Sequence, residues 1–236
     1  MYNIMNICTF SLLIILICLI CKRWYKIDKF VNYIDPTTIE LHPSLEGTKR
    51  GELLKKHQQN LTHMFKEFIE ICDTNKLNYI LIGGTLIGTL RHKGWIPWDD
   101  DIDVAMFRDD QLKIKDIYVN DPYLRQQYKV VPSSNIHVWI DLYKIISRTN
   151  SRLFIDIFLL KERDDKPGNY GIVNYKGYRP FTNINNILPT KNAYFEGIKV
   201  KIPNDPLKVL KEILFRSAGT PDINNLPPID KRKPHH

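Results

Sequence analysis

Four carboxylates fall within the five positions Asp99 to Asp103, inside the stretch WIPWDDDIDVAMFR that runs from Trp95 to Arg108. Ile102, Val104 and Met106 follow at every second place, which is the alternation of a strand. On a strand, Asp99, Asp101 and Asp103 would share one face and Ile102 and Val104 the other, with Asp100 turned away to a structural contact. Like charges so close repel one another unless a cation sits among them. A hard divalent ion suits oxygen ligands, and Mg²⁺ in particular takes one or two carboxylates and completes its shell with phosphate oxygen and water. The expectation is therefore a metal site that works on phosphate.

Upstream, Asn78 to Ile82 (NYILI) reads as a short buried strand that stops at Gly83-Gly84. Two glycines let backbone amides come close to an anion, and Thr85 would cap a helix from Thr85 to about His92 whose N-terminus favours negative charge. A Gly-Gly pair before a helix is a tight turn as readily as a phosphate cradle. Gly94 suits the helix end, and Arg91, His92 and Lys93 beside it could reach donor oxygens or simply face water.

From about Glu52 to Asn75, Leu54, Leu61, Met64, Phe65, Phe68 and Cys72 recur at the spacing of an amphipathic helix, with His57 and His63 on its surface. Gln111 to Val119 fits a further helix, and His137 to Leu142 a strand that carries Asp141. Leu153 to Leu160 (LFIDIFLL) is a clearer strand, apolar except for Asp156. A lone carboxylate in such a run is costly unless paired or metal-bound, which makes Asp156 a functional ligand ahead of the alternative, a structural salt bridge. Lys161 to Asn186 is polar and reads as a long loop over a site. Phe195 to Ile202 follows as a strand, and Asn204-Asp205-Pro206 opens a helix from Leu207 to Phe215.

The chain of 236 residues carries a net charge of +8, but the basic residues are scattered, so a solvated surface is expected and no nucleic-acid partner. Ile7 to Cys21 form an apolar run that, with the preceding residues, approaches the roughly 20 needed to span a bilayer. No small-residue cleavage site follows, so a retained anchor is expected rather than a signal peptide. Lys22, Arg23 and Lys26 after the span would leave the domain in the cytosol. The sequon Asn60-Leu61-Thr62 would suit a lumen but lies in a helix. Cys72 alone remains outside the anchor region, which excludes an internal disulfide and a cysteine-rich zinc module. The resulting organisation is a tail at 1–6, a transmembrane anchor at 7–21, a stalk at 22–48, a catalytic domain at 49–220 and a basic tail at 221–236.

The stretch GGTLIGTLRHKGWIPWDDDIDVAMFRDD (Gly83 to Asp110), with LFIDIF and ILPTKNAYFEGIKVKIPNDPLKVL downstream, resembles the LicD family, which includes fukutin and fukutin-related protein. The resemblance covers roughly Leu54 to Leu214. It implies an α/β (α+β) fold of the nucleotidyltransferase superfamily, a mixed sheet flanked by helices, here preceded by one transmembrane helix. By position it makes Gly83 and Gly84 the phosphate-approach turn, Asp101 and Asp103 paired ligands of Mg²⁺ or Mn²⁺, and Asp156 the third carboxylate, as metal ligand or as base. Asp99 would help hold the metal, and Thr85, Arg91, His92 and Lys93 join Gly83 and Gly84 as candidate donor-binding residues. Relatives move a phospho-alcohol, such as phosphocholine or ribitol phosphate, from a CDP-alcohol donor to a glycan acceptor. The resemblance also implies a Golgi-like lumenal address, against the cytosolic side implied by the flanking charge. Many relatives have a Tyr-Gly pair where this chain has Leu214-Phe215-Arg216, a difference that bears on the acceptor side.

Rival readings use the same residues. A glycosyltransferase could use Asp101-Ile102-Asp103 as a sugar-nucleotide motif but leaves Gly83-Gly84 without a role. A true nucleotidyltransferase would release pyrophosphate, and a catalytically silent glycan-binding protein has no reason to keep repelling carboxylates. A prenyl-diphosphate DDxxD site needs a helix, and an EF-hand loop from Asp99 fails at Val104 and Asp110.

Overall fold

The structure is a computed structural model that describes residues 43–132, 142–172 and 181–214. The anchor at 7–21, most of the stalk, Asp141, the tail at 221–236 and Phe215-Arg216 lie outside the described residues. Among the described residues no helix is long and apolar enough to cross a membrane.

A short 3-10 turn (Pro43–Leu45) leads into helix α1 (Lys49–Thr74), which starts where the Thr48 side chain accepts a hydrogen bond from the Gly51 amide. Its Leu61, Phe65, Phe68 and Cys72 are fully buried, one stripe at the three-and-four spacing read from the sequence. Each such side chain contributes about 1.5–3 kcal/mol by leaving water. Strand β1 is only Ile80–Leu81, and helix α2 runs from Gly83 to His92. Strand β2 (Ile102–Phe107) then leads into helix α3 (Arg108–Asn120) and helix α4 (Pro122–Gln127), the latter capped by Asp121. Strands β3 (Tyr128–Pro132), β4 (Leu142–Ser147) and β5 (Phe154–Glu162) follow.

The segment expected as a long loop contains strands β6 (Asn169–Gly171) and β7 (Phe181–Asn183) and the turn of helix α5 (Ile184–Ile187). The strand expected over Phe195–Ile202 is instead a hairpin, β8 (Lys191–Phe195) and β9 (Ile198–Ile202). Its turn is Glu196-Gly197, both at positive φ of 49° and 73°. Helix α6 (Pro206–Val209) begins at the Asp205 cap, as read from the sequence, and passes into a π-helical turn (Leu210–Leu214).

The architecture is mixed α/β. The main sheet runs β1-β2-β5-β4-β3, with β6 on the edge of β5 and β7 beyond it; β8 and β9 pair apart. β2 and β5 are parallel, and β1, β4 and β3 join antiparallel. The core on one face of the sheet is aromatic where α1 meets the hairpin. The Phe195 ring meets Phe65 edge-on at 5.8 Å and Trp95 at 5.3 Å, so one strand end locks helix and loop together.

Candidate active site

In the sheet, Asp103 of β2 and Asp156 of β5 are direct partners in the parallel register, flanked by Ile102 opposite Ile155 and Val104 opposite Ile157. Partners in register point to the same face, so two strands far apart in the chain present their carboxylates side by side. Asp101 joins them at the entry to β2, and carboxylate oxygens of Asp101, Asp103 and Asp156 lie within 4.8 Å of one another. Asp99, Asp100 and Asp101 form a second such grouping that shares Asp101.

Asp99, Asp101 and Asp103 do not share a strand face as the alternation predicts, because β2 begins only at Ile102. The backbone before it is engaged elsewhere. The buried Gln58 amide of α1 donates to the carbonyls of Asp99 at 2.8 Å and Ile96 at 3.3 Å, and the His57 ring nitrogen Nε2 stands 2.7 Å from the Asp100 carbonyl. The Trp95 indole donates to Thr62 Oγ1, which itself donates to the Gln58 carbonyl. The acidic stretch is thus a loop pinned by α1, and its carboxylates converge in space rather than along a strand.

The two glycines are where the loop's carboxylates press against α2. Gly83 has φ +61°, a left-handed conformation that favours glycine, and a Cβ there would collide with the Asp103 carboxylate. A Cβ on Gly84 would lie 2.5 Å from Asp99 Oδ2. The helix starts at these glycines, with Ile82 as an N-cap that offers no side-chain hydrogen bond. Its first amides have no partner within the helix, and its positive end faces the acidic cluster.

Thr85 is not the helix cap expected from the sequence. It lies inside the first turn, buried, and its Oγ1 accepts a hydrogen bond from the Asp103 amide at 2.9 Å, which ties α2 to β2. Arg91, His92 and Lys93 stand at the other end of α2, roughly 13 Å along its axis from Gly83. There Lys93 takes a left-handed φ of 56° and its carbonyl accepts from the Glu196 amide, while Glu196 Oε1 accepts from the Trp95 amide at 2.9 Å. A Cβ on Gly94 would run into that Glu196 carboxylate.

The electrostatics follow from this crowding. Burial first, then Asp101 and Asp100, push the Asp99 carboxyl up to about 7. Asp103 is raised well above the carboxylate range by burial and by Asp101, Asp156 and Asp99. Asp101 is raised by burial, then by Asp100 and Asp156, and burial raises Asp156 as well. Lys144 opposes the rise at Asp101, Asp103 and Asp156. It lies on β4 in register with Asp156, and its ammonium is 2.6 Å from each Asp156 oxygen.

An all-oxygen donor set and mutual repulsion that one ammonium does not cancel both fit a hard divalent ion such as Mg²⁺ or Mn²⁺. Lys144, Gln58 and Glu196 were not singled out from the sequence. Lys144 carried a usable signal, since a lysine within the apolar strand LYKIIS is as costly as Asp156 within LFIDIFLL.

Residues 76–205 match the family described as LicD/FKTN/FKRP, nucleotidyltransferase domain. Over 83 residues the chain is 39% identical to the lipopolysaccharide cholinephosphotransferase LicD of Haemophilus influenzae, covering 35% of this chain and 31% of that protein. Over 160 residues it is 28% identical to an uncharacterized protein of Rickettsia typhi, covering 67% and 47%. A Rickettsia prowazekii protein, also uncharacterized, is 32% identical over 72 residues, 30% of this chain and 27% of that one. The chain spans less than half of the length of each of these relatives. The family match takes in Gly83, Gly84, the whole acidic loop, Lys144, Asp156 and Glu196, and leaves out all of α1.

Proposed function

The chain belongs to the LicD family, and from that membership we propose a metal-dependent phosphotransferase that moves a phospho-alcohol, of the phosphocholine or ribitol-phosphate type, from a CDP-activated donor to a glycan. The observation that carries this reading is the register of Asp103 with Asp156, with Asp101 beside them, against an uncapped helix N-terminus. A relative named as a lipopolysaccharide cholinephosphotransferase supports the substrate class.

Asp101 and Asp103 would hold Mg²⁺ or Mn²⁺, with Asp99 and Asp156 on either side. An ion held there would supply charge neutralisation for the donor diphosphate and for departing CMP. The amides of the first turn of α2, at Gly83, Gly84 and Thr85, bind phosphate oxygens. The acceptor hydroxyl oxygen forms a bond to the phosphorus that bears the alcohol, the bond from that phosphorus to the bridging oxygen of CMP breaks, and the hydroxyl proton passes to solvent water. The Lys144 ammonium already holds Asp156 and opposes the rise that burial gives its carboxyl, which disfavours Asp156 as the base. Arg91, His92 and Lys93, at the far end of α2, have no part in this scheme. Residues 7–21 would tether the enzyme beside a membrane-borne acceptor.

The test incubates the full chain with Mg²⁺ or Mn²⁺, a panel of CDP-alcohols and nucleotide sugars, and candidate glycans, and reads nucleotide release and product mass. CMP release with phospho-alcohol added to the glycan, lost in Asp101→Ala/Asp103→Ala, is the expected result. UDP or GDP release would instead make the protein a glycosyltransferase, and silence from a folded protein that binds no metal would sink the enzymatic reading.

A further inference from the structure

Lys144 is built into the sheet rather than draped over it. Its Cα is the register partner of Asp156, its ammonium is 2.6 Å from both carboxylate oxygens, and that ammonium also lies 4.0 Å from the centre of the Phe154 ring. The Asp156 side chain is only 9% exposed and that of Lys144 27%. Among the described residues, Lys144 is the cation whose charge acts on Asp101, Asp103 and Asp156 together.

Sites that handle phosphate with two divalent ions hold them about 3.5–4 Å apart, bridged by shared carboxylates. Here the outer carboxylate, Asp156, already carries a fixed positive charge across both of its oxygens. A divalent ion on the same carboxylate would face that ammonium at close range in a partly buried setting, where screening is weak. Asp101 joins Asp103 in one grouping and Asp99 and Asp100 in the other, while the direct ion pair of the ammonium is with Asp156.

We propose that the Lys144 ammonium takes the place of a second divalent ion, so that this cluster binds one metal ion, on Asp101 and Asp103, with Asp156 held by lysine. This rests on the metal-dependent reading given above, but concerns the number of ions and can fail without it. Lys144 acts through Asp156 and is a positioning residue; it fixes the outer carboxylate and sets the charge the cluster presents.

The test is a Mn²⁺ titration of the full chain, without donor or acceptor, read by the loss of the free-ion electron paramagnetic resonance signal and by calorimetry. The wild-type chain is expected to bind one Mn²⁺. Lys144→Met and Lys144→Gln, which remove the charge at similar length, are expected to bind two, or to bind the first about tenfold more tightly or better. Lys144→Arg restores the fixed charge and returns the count to one. Two ions on the wild-type chain, with a spin-coupled pair signal, would overturn the proposal even if neither neutral variant folds. So would one ion of unchanged affinity in a folded Lys144→Gln. A wild-type chain that binds no Mn²⁺ overturns it as well, and absence of CMP release in the donor panel then tells that failure apart from loss of the transferase reading.

Discussion

Gly83 and Asp103 are so close that the glycine's missing side chain is the space the carboxylate occupies. A helix start and a strand are fitted together by leaving out one methyl group, and Gly84 stands in the same relation to Asp99. The two positions differ in backbone, because only Gly83 adopts a positive φ.

That difference separates two substitutions. Gly83→Ala meets both a strained φ and the Asp103 carboxylate, and is expected to lower stability by about 1–3 kcal/mol and abolish transfer. Gly84→Ala meets only Asp99 and is expected to leave the melting temperature within a few degrees while weakening Mn²⁺ binding. Thermal denaturation and Mn²⁺ titration of both variants decide; equal stability losses would mean that the backbone at Gly83 plays no special part.

The Asp99 carboxyl, pushed up to about 7 by burial and its acidic neighbours, makes stability depend on pH. The folded protein keeps this proton up to about 7, whereas the unfolded chain releases it near the ordinary 3.8. The stabilisation is therefore complete below the unfolded value and is lost as pH rises through about 7. In metal-free buffer, Asp99→Asn is expected to melt higher than the wild-type chain at pH 8, with the gap closing toward pH 5. Saturating Mg²⁺ should reverse the order at pH 8. A gap that does not change with pH would refute this account of the cluster.

Gln58 lies in α1, and its amide holds the carbonyls of Asp99 and Ile96. Gln58→Leu keeps the volume and leaves both carbonyls without that donor, at a cost of about 1–3 kcal/mol. Mn²⁺ affinity is expected to fall severalfold because the loop is no longer pinned. Calorimetric titration at a temperature where the variant remains folded checks this, and unchanged affinity would show that the loop is held by other contacts.

Glu196 accepts from the Trp95 amide while half-buried, and burial raises its carboxyl. Glu196→Gln keeps an acceptor without the charge and is expected to match or exceed wild-type stability at pH 8, with a smaller gain at pH 5. Glu196→Ala should lose stability at both. Melting curves of the two variants at the two pH values suffice, and a destabilised Gln variant would mean that the negative charge itself is needed.

Much of the site was legible because the sequence placed single charges where a strand cannot tolerate them. The carboxylates of IDVAMF and LFIDIF had to be paired or ligated, and they meet in register. The fate of Asp99 to Asp101 was not legible, because strand alternation is a local rule while the carbonyls of this loop are held by Gln58 and His57 from another helix. The β8–β9 hairpin was missed although Glu196-Gly197 is a two-residue turn, since the apolar residues on either side alternate as in one strand. Lys144 was passed over while Asp156 was singled out, though the same cost of burying charge applies to both.

The parallel pairing of β2 with β5 also dictates when the site comes into being. Asp103 and Asp156 are about fifty residues apart in the chain, and closing so long a loop must precede any contact between them. The nascent chain exposes its acidic loop well before β5 leaves the ribosome, and β3 and β4 are made in the interval. Ion capture by the full ligand set is thus a late event in folding, and a chain that stops short of β5 has the carboxylates of the loop but no partner strand to gather them.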